Sequence, residues 1–207
     1  RKEFRRGAER IQSMVETNVL GTSNILECMV RHKVKKIIFS SSMSVIGVPC
    51  YLPVDEHHPC MPVNFYGLTK KHAEELIEYF SLKYGLTSYV LRFPGLFDAE
   101  RREGALYTFI MNSLCNKELK IMLGESSIWD ILHVNDAVLA IERSIKKINS
   151  SRGYNVFNIG YGEIVEIKTS RLHGKTNIRV FIDKPGGITL SDCSNATGII
   201  SFLLDGS

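Results

Sequence analysis

The sequence lacks what several classes of protein require. No apolar run approaches the roughly 20 residues needed to span a bilayer. Residues 1–6 are charged with no apolar stretch behind them, so they do not read as a secretory signal. The five cysteines (Cys28, Cys50, Cys60, Cys115 and Cys193) are odd in number, scattered and without a C-x-x-C pair. They read as reduced thiols of a cytoplasmic protein, not as a disulfide framework or a metal knuckle. Without a secretory signal the sequon Asn195-Ala196-Thr197 carries no weight. Charge of one sign is also scarce. Lysine and arginine number 26 against 22 acidic residues, a formal +4, and no basic stripe with interleaved aromatics occurs, so nucleic acid is not an expected partner. What remains is ordinary globular composition, with 44% hydrophobic and 23% charged residues.

Helical and strand-like patterns alternate. Ile11, Met14, Val15, Val19, Ile25, Leu26 and Met29 predict one long helix over about 9–32, with Gly21 inside it allowing close approach to a sheet. Ile37-Ile38-Phe39 reads as a buried strand that ends in Ser40-Ser41-Ser42. A proline-rich loop follows. A second long helix is predicted over 64–84 and stopped by Gly85, then a strand over 88–93 halted by Pro94-Gly95. Further elements are expected at 104–116 (helix), 119–122 and 131–134 (strands), 135–148 (helix) and 154–159 (strand). This order predicts a parallel sheet covered on both faces by right-handed crossovers.

Tyr66-Gly67-Leu68-Thr69-Lys70 is the sharpest local signal. Tyrosine and lysine four apart share a helix face. A nearby ammonium stabilises a phenolate, which suits tyrosine to act as a general base. Ser42, at a strand end, can bond the same substrate oxygen. Both groups belong at the carboxyl edge of the sheet, where ligands bind in this class. Such a triad suits alcohol–ketone interconversion, and hydride must then go to a cofactor, normally a nicotinamide. His57-His58 beside Asp55-Glu56 reads as a solvated turn, and no metal site is expected.

Six motifs in order resemble the extended short-chain dehydrogenase/reductases, specifically the NAD-dependent nucleotide-sugar epimerase/dehydratase family. They are Asn18-Val19-Leu20-Gly21-Thr22, Phe39-Ser40-Ser41-Ser42 through Val45-Ile46-Gly47, Val54-Asp55-Glu56 with Tyr66-Gly67-Leu68-Thr69-Lys70, Leu91-Arg92-Phe93-Pro94-Gly95, Trp129-Asp130-Ile131-Leu132-His133-Val134-Asn135-Asp136, and Phe157-Asn158-Ile159-Gly160. The resemblance covers about residues 10–165. It implies Tyr66 as general base, Lys70 as its electrostatic partner and a ribose ligand, and Ser42 as the ligand of the substrate oxygen. It implies NAD, with NADP as the alternative, held along Asn18, Ser40, Tyr66, Lys70 and Phe93. Gly95, Trp129 and Lys184 stand where the family meets its substrate, a nucleotide sugar. His133 and Asp136 are expected to be structural. A homodimer through a four-helix interface is implied by analogy.

The sequence also departs from that family. No G-x-x-G-x-x-G turn occurs, and Gly186-Gly187 has the wrong flanks. The expected fold is therefore α/β: a partial Rossmann-like doubly wound parallel sheet lacking its N-terminal strands over 1–165, with a smaller, incomplete C-terminal substrate-binding region over 166–207. The strand at 36–39 should present an unpaired edge, which predicts poor solubility or oligomerisation. Val165-Glu166-Ile167-Lys168 starts like the family's helix, but Ser170-Arg171-Leu172-His173-Gly174 cuts it short. Trp129 replaces a common arginine, and Lys184-Pro185-Gly186-Gly187 stands for R-P-G-D. Met43-Ser44 replaces the acidic pair of dehydratases, which argues against dehydration and for epimerase or simple reductase chemistry. Two alternatives follow: an inactive relic that has lost its cofactor turn, and a reductase of apolar alcohols or ketones suited to Trp129 and Gly95.

Overall fold

The computed structural model describes residues 10–98, 107, 108, 111, 112, 115 and 130–160, and the backbone of Ile164–Leu172 and Lys175–Asp183. The chain divides into two compact units, residues 1–94 with 137–159, and 95–136 with 160–207.

In the first unit, residues 10–31 are helical throughout, but Val15–Leu20 winds as a π-helix before α1 (Gly21–Arg31). β1 (Lys36–Ser42) follows and ends in a 3₁₀ turn, Met43–Val45. α2 (Phe65–Tyr84) begins where the Asn64 side chain accepts the Gly67 N–H at 2.7 Å, an N-cap that satisfies an orphan donor. It ends at Gly85, whose φ of 65° is the left-handed stop the sequence predicts. β2 (Thr87–Phe93) is buried along nearly its whole length and lies between β1 and β5 (Tyr154–Asn158), both parallel to it. The expected parallel sheet is therefore present with three strands among the described residues, and β1 lies at its edge.

Leu26 and Met29 of α1, Ile77 of α2, and Leu86 and Val90 form the buried centre of this unit. Ile37, Phe39, Phe80 and Val156 pack against it. Each fully buried side chain of this size contributes about 1.5–3 kcal/mol. Because all three strands run the same way, Ser42, Phe93 and Asn158 emerge at one sheet edge.

The loop between β1 and α2 is folded against that edge. A bridge pairs Gly47 with Met61. Gly47 has φ 78°, and a Cβ there would stand 1.9 Å from the Met61 carbonyl oxygen, so only glycine fits. Asp55 accepts the Tyr51 hydroxyl and the His57 N–H, while Glu56 accepts the Asn158 N–H at 2.9 Å. His58 corrects the solvated-turn reading. It is buried, stacks on Tyr51 and accepts the Cys50 N–H at 3.0 Å, because the loop closes over the ring.

In the second unit, β3 (Gly95–Phe97) pairs in parallel with β4 (Ile131–His133). His133 Nδ1 accepts the Asn135 N–H, and Asp136 lies in the first turn of α3 (Val134–Lys147), a carboxylate at a helix N-terminus. β6 (Ile164–Leu172) and β7 (Lys175–Asp183) form an antiparallel hairpin with Leu172 opposite Lys175. This corrects the helix start read at 165–168: Ile164, Val165, Ile167 and Thr169 are β-branched and favour extended backbone. The helix expected at 104–116 lies mostly outside the described residues, and the strand at 119–122 wholly so. No helix among the described residues is long and apolar enough to cross a membrane.

Candidate active site

The site is assembled from three pieces of the first unit. β1 delivers Ser40, Ser41 and Ser42 at its carboxyl end. The 3₁₀ turn after it folds back so that the Ser44 N–H donates to Ser42 Oγ at 3.2 Å, with the two hydroxyls 3.1 Å apart. The first turns of α2 bring Tyr66 and Lys70 to that strand end.

Gly67 makes this approach possible. It is buried, and a Cβ on it would meet the Ser44 carbonyl oxygen at 2.3 Å and Pro62 at 3.1 Å. Gly67→Ala should therefore push α2 away from the 43–45 turn and cost about 1–3 kcal/mol, the usual penalty for overpacking. Urea denaturation of the two proteins measures this, and equal midpoints would show that the helix start yields freely.

Tyr66 is 41% exposed, with the Ser42 side chain near its phenol. Burial raises the phenol above its ordinary value, and the Ser42 hydroxyl pulls it partly back. Lys70 Nζ donates to the Ser40 carbonyl at 2.9 Å. It lies 4.9 Å from the Phe39 ring centroid and 5.9 Å from that of Tyr66, so it is a cation among π faces. Desolvation lowers the Lys70 ammonium from its ordinary value, and Glu74 opposes that shift. The expected lowering of the phenol by the ammonium is not the dominant effect here, because Lys70 is turned to a carbonyl while burial acts on the ring.

Asn18 lies in the π-helical turn, a distortion frequent at functional sites. Its amide donates to Thr69 Oγ1 at 3.0 Å, and Thr69 donates to the Tyr66 carbonyl at 2.9 Å. Asn18 is thus tied to the turn of α2 that carries the candidate base. Phe93 is buried at the end of β2 in register with Ser42. Ser42, Tyr66, Lys70, Ser40, Asn18 and Phe93 therefore share one sheet edge. Gly95 belongs to the second unit, where its N–H donates to the Asp130 carbonyl. Trp129 and Lys184 lie outside the described residues.

Sequence reasoning missed a buried network next to this group. Glu74, one helical turn after Lys70, accepts from Arg92 Nη2 at 2.7 Å and Nε at 3.1 Å, and from the Ser41 hydroxyl. All three residues are at most 5% exposed. The signal was present in Ser88-Tyr89-Val90-Leu91-Arg92-Phe93, because an arginine in a buried strand needs an anionic partner. No group of three or more candidate metal ligands occurs among the described residues.

A phenol beside a hydroxyl, with an ammonium on the same helix face, can move a proton to or from a substrate oxygen. Residues 2–160 match the family model described as the NAD dependent epimerase/dehydratase family. Residues 155–207 also match the RimP N-terminal domain, a similarity over less than half of the chain. A putative UDP-glucose 4-epimerase of Methanocaldococcus jannaschii is 35% identical over 153 residues, 72% of this chain and 48% of that protein. A crystal structure of a UDP-galactose 4-epimerase has a TM-score of 0.62 at 27% identity, covering 71% of this chain and 48% of that one. The UDP-glucose 4-epimerase of Thermus thermophilus in complex with NAD gives 0.60 at 25% identity, covering 72% and 50%. The chain thus spans about half the length of these relatives. A family match over most of the chain, a 35%-identical relative and the shared parallel sheet lead to one assignment: this chain belongs to the NAD dependent epimerase/dehydratase family.

Proposed function

We propose that this chain carries the proton-transfer half of a nucleotide-sugar 4-epimerase. Tyr66 is the general base, Lys70 holds charge beside the phenolate, and Ser42 orients the reacting hydroxyl. The observation that carries the reading is the convergence of Ser42, at the end of β1, with Tyr66 and Lys70 on one face of the first turns of α2, where Lys70 is fixed to the Ser40 carbonyl. The relatives and neighbours are named as UDP-sugar 4-epimerases, which favours C4 epimerisation over dehydration or simple reduction.

The residues present fit the nicotinamide–ribose end of NAD: a half-buried ammonium, a phenol and strand-end hydroxyls suit ribose hydroxyls and a carboxamide. Lys70, Tyr66, Ser40 and Asn18 would hold it. No G-x-x-G-x-x-G turn for the pyrophosphate occurs in the 207 residues, so the fit concerns that end alone. The chemistry a bound NAD supplies is reversible acceptance of hydride from the carbinol carbon. Tyr66 then takes the hydroxyl proton and returns it, and Ser42 keeps the oxygen in reach on both passes. Residues 166–207, with Gly95, Trp129 and Lys184, are assigned to the substrate side. Exposed Leu20 and Ile25 before and on α1, and Tyr79 and Leu82 on α2, support a dimer through these helices.

Lys70→Met tests the reading without depending on one assay. The variant removes a desolvated cation, so the melting temperature should stay level or rise. Interconversion of UDP-glucose and UDP-galactose with NAD should be lost. A variant that keeps its turnover would remove Lys70 from the reaction. Wild-type protein that binds neither NAD nor UDP-sugar by calorimetry would favour the inactive-relic reading.

A further inference from the structure

We propose that Glu74 is a positioning residue for the site: clamped by Arg92 and Ser41, it fixes the turn of α2 that carries Lys70 and stations a negative charge one turn behind it. This rests on the proposed role of Lys70, but its geometry stands apart from that role. Ser41 is the neighbour of both Ser40, whose carbonyl receives Lys70, and Ser42, whose side chain lies near the Tyr66 phenol. Ser41 and Arg92 are register partners on β1 and β2, so their side chains leave the same sheet face. Both reach Glu74 on the helix covering that face. One carboxylate thus joins β1, β2 and α2 directly beside the candidate catalytic groups.

A clamp needed only for packing could be apolar, and replacing a buried ion pair by apolar residues is often neutral or stabilising. A charge at Glu74 does something an apolar residue cannot, because Lys70 lies at i−4 on the same helix face. Glu74 opposes the desolvation of the Lys70 ammonium. The guanidinium holds the carboxylate in one geometry, through Nε and Nη2 together. Arg92 Nη1 is buried and makes no hydrogen bond, so Arg92 spends its contacts on Glu74 among the described residues. Among the described residues, the titratable groups around Lys70 and the Glu74 network are Tyr66, Glu74 and Glu78 on its own helix, Arg92 on β2, Tyr154 on β5 and Cys60 in the loop before α2. β1 presents the Ser40 carbonyl and the Phe39 ring, and the π-helical turn presents the uncharged Asn18 beside Thr69. Lys71, on the same helix, pairs instead with Glu75 at 3.0 Å.

The test follows the Lys70 ammonium through a pH titration of the full chain, using ¹³C-labelled lysine and the Lys70→Met variant for assignment. Glu74→Gln should shift the Lys70 midpoint downward. Glu74→Asp keeps the charge and should restore the midpoint toward that of the parent. Because Glu74→Gln leaves Arg92 buried without its anion, the double variant Glu74→Leu/Arg92→Met is titrated as well. It should fold and show a downward shift smaller than that of Glu74→Gln, because the Arg92 charge leaves with that of Glu74. An unmoved Lys70 midpoint in the folded double variant would overturn the proposal. So would failure of that variant to fold, since the clamp would then serve the core before the site. Inactivity of the parent toward NAD and UDP-sugar would count against the epimerase reading alone and leave the Lys70 titration standing.

Discussion

Tyr66→Phe is expected to cut UDP-sugar epimerisation by about 10²–10⁴-fold, the usual contribution of a positioned general base. The loss should fall on kcat with KM nearly unchanged, because the phenol oxygen acts on the proton in flight and the ring still fills its place. Tyr66 is 41% exposed, so deleting one hydroxyl should leave the melting temperature almost where it was. The pH profile gives a second reading. Burial raises the phenol, so a base that works deprotonated gains activity as pH rises toward that raised value. The phenylalanine variant should lose this rising limb as well as the rate. Steady-state kinetics between neutral and alkaline pH decide it. A variant retaining both the rate and the limb would mean that another group takes the proton.

Much of this arrangement was legible because local chemistry and global fold agree. The left-handed Gly85 and the apolar run through 88–91 each dictate an element without help from distant contacts. The strand-end serines and the Tyr66–Lys70 spacing then locate the site once the sheet is parallel. What was not legible depends on partners far apart in sequence. Glu74 looks like a solvated helix charge until Arg92, on a different element, is placed against it. His58 looks like a turn residue until the loop folds over it. The hairpin at Ile164–Leu172 was misread as a helix start because the family pattern was weighed above the β-branched residues actually present. The π-helical turn at Val15–Leu20 has no sequence signal of its own, since apolar spacing suits either winding over six residues.

Arg92→Met should have the largest effect on stability, about 3–5 kcal/mol, the range for breaking one side of a buried ion pair. The methionine fills much of the space, so the loss is not mainly a cavity. It comes from Glu74, left 3% exposed with Ser41 as its remaining hydrogen-bond donor among the described residues. Against a total stability of about 5–15 kcal/mol for a domain, this removes a large share. The double variant Glu74→Leu/Arg92→Met should recover most of it, because no charge is then buried alone. The pair is thus expected to couple strongly in a double-mutant cycle read from urea midpoints, well outside the additive limit for independent sites. A single variant that costs under about 1 kcal/mol would place the pair in the class of surface bridges and remove the physical basis for a clamp. The two outcomes also differ in what they imply for selection on this chain. A costly pair that an apolar pair can replace is not explained by stability, and its position one turn behind Lys70 then becomes the reason for keeping it.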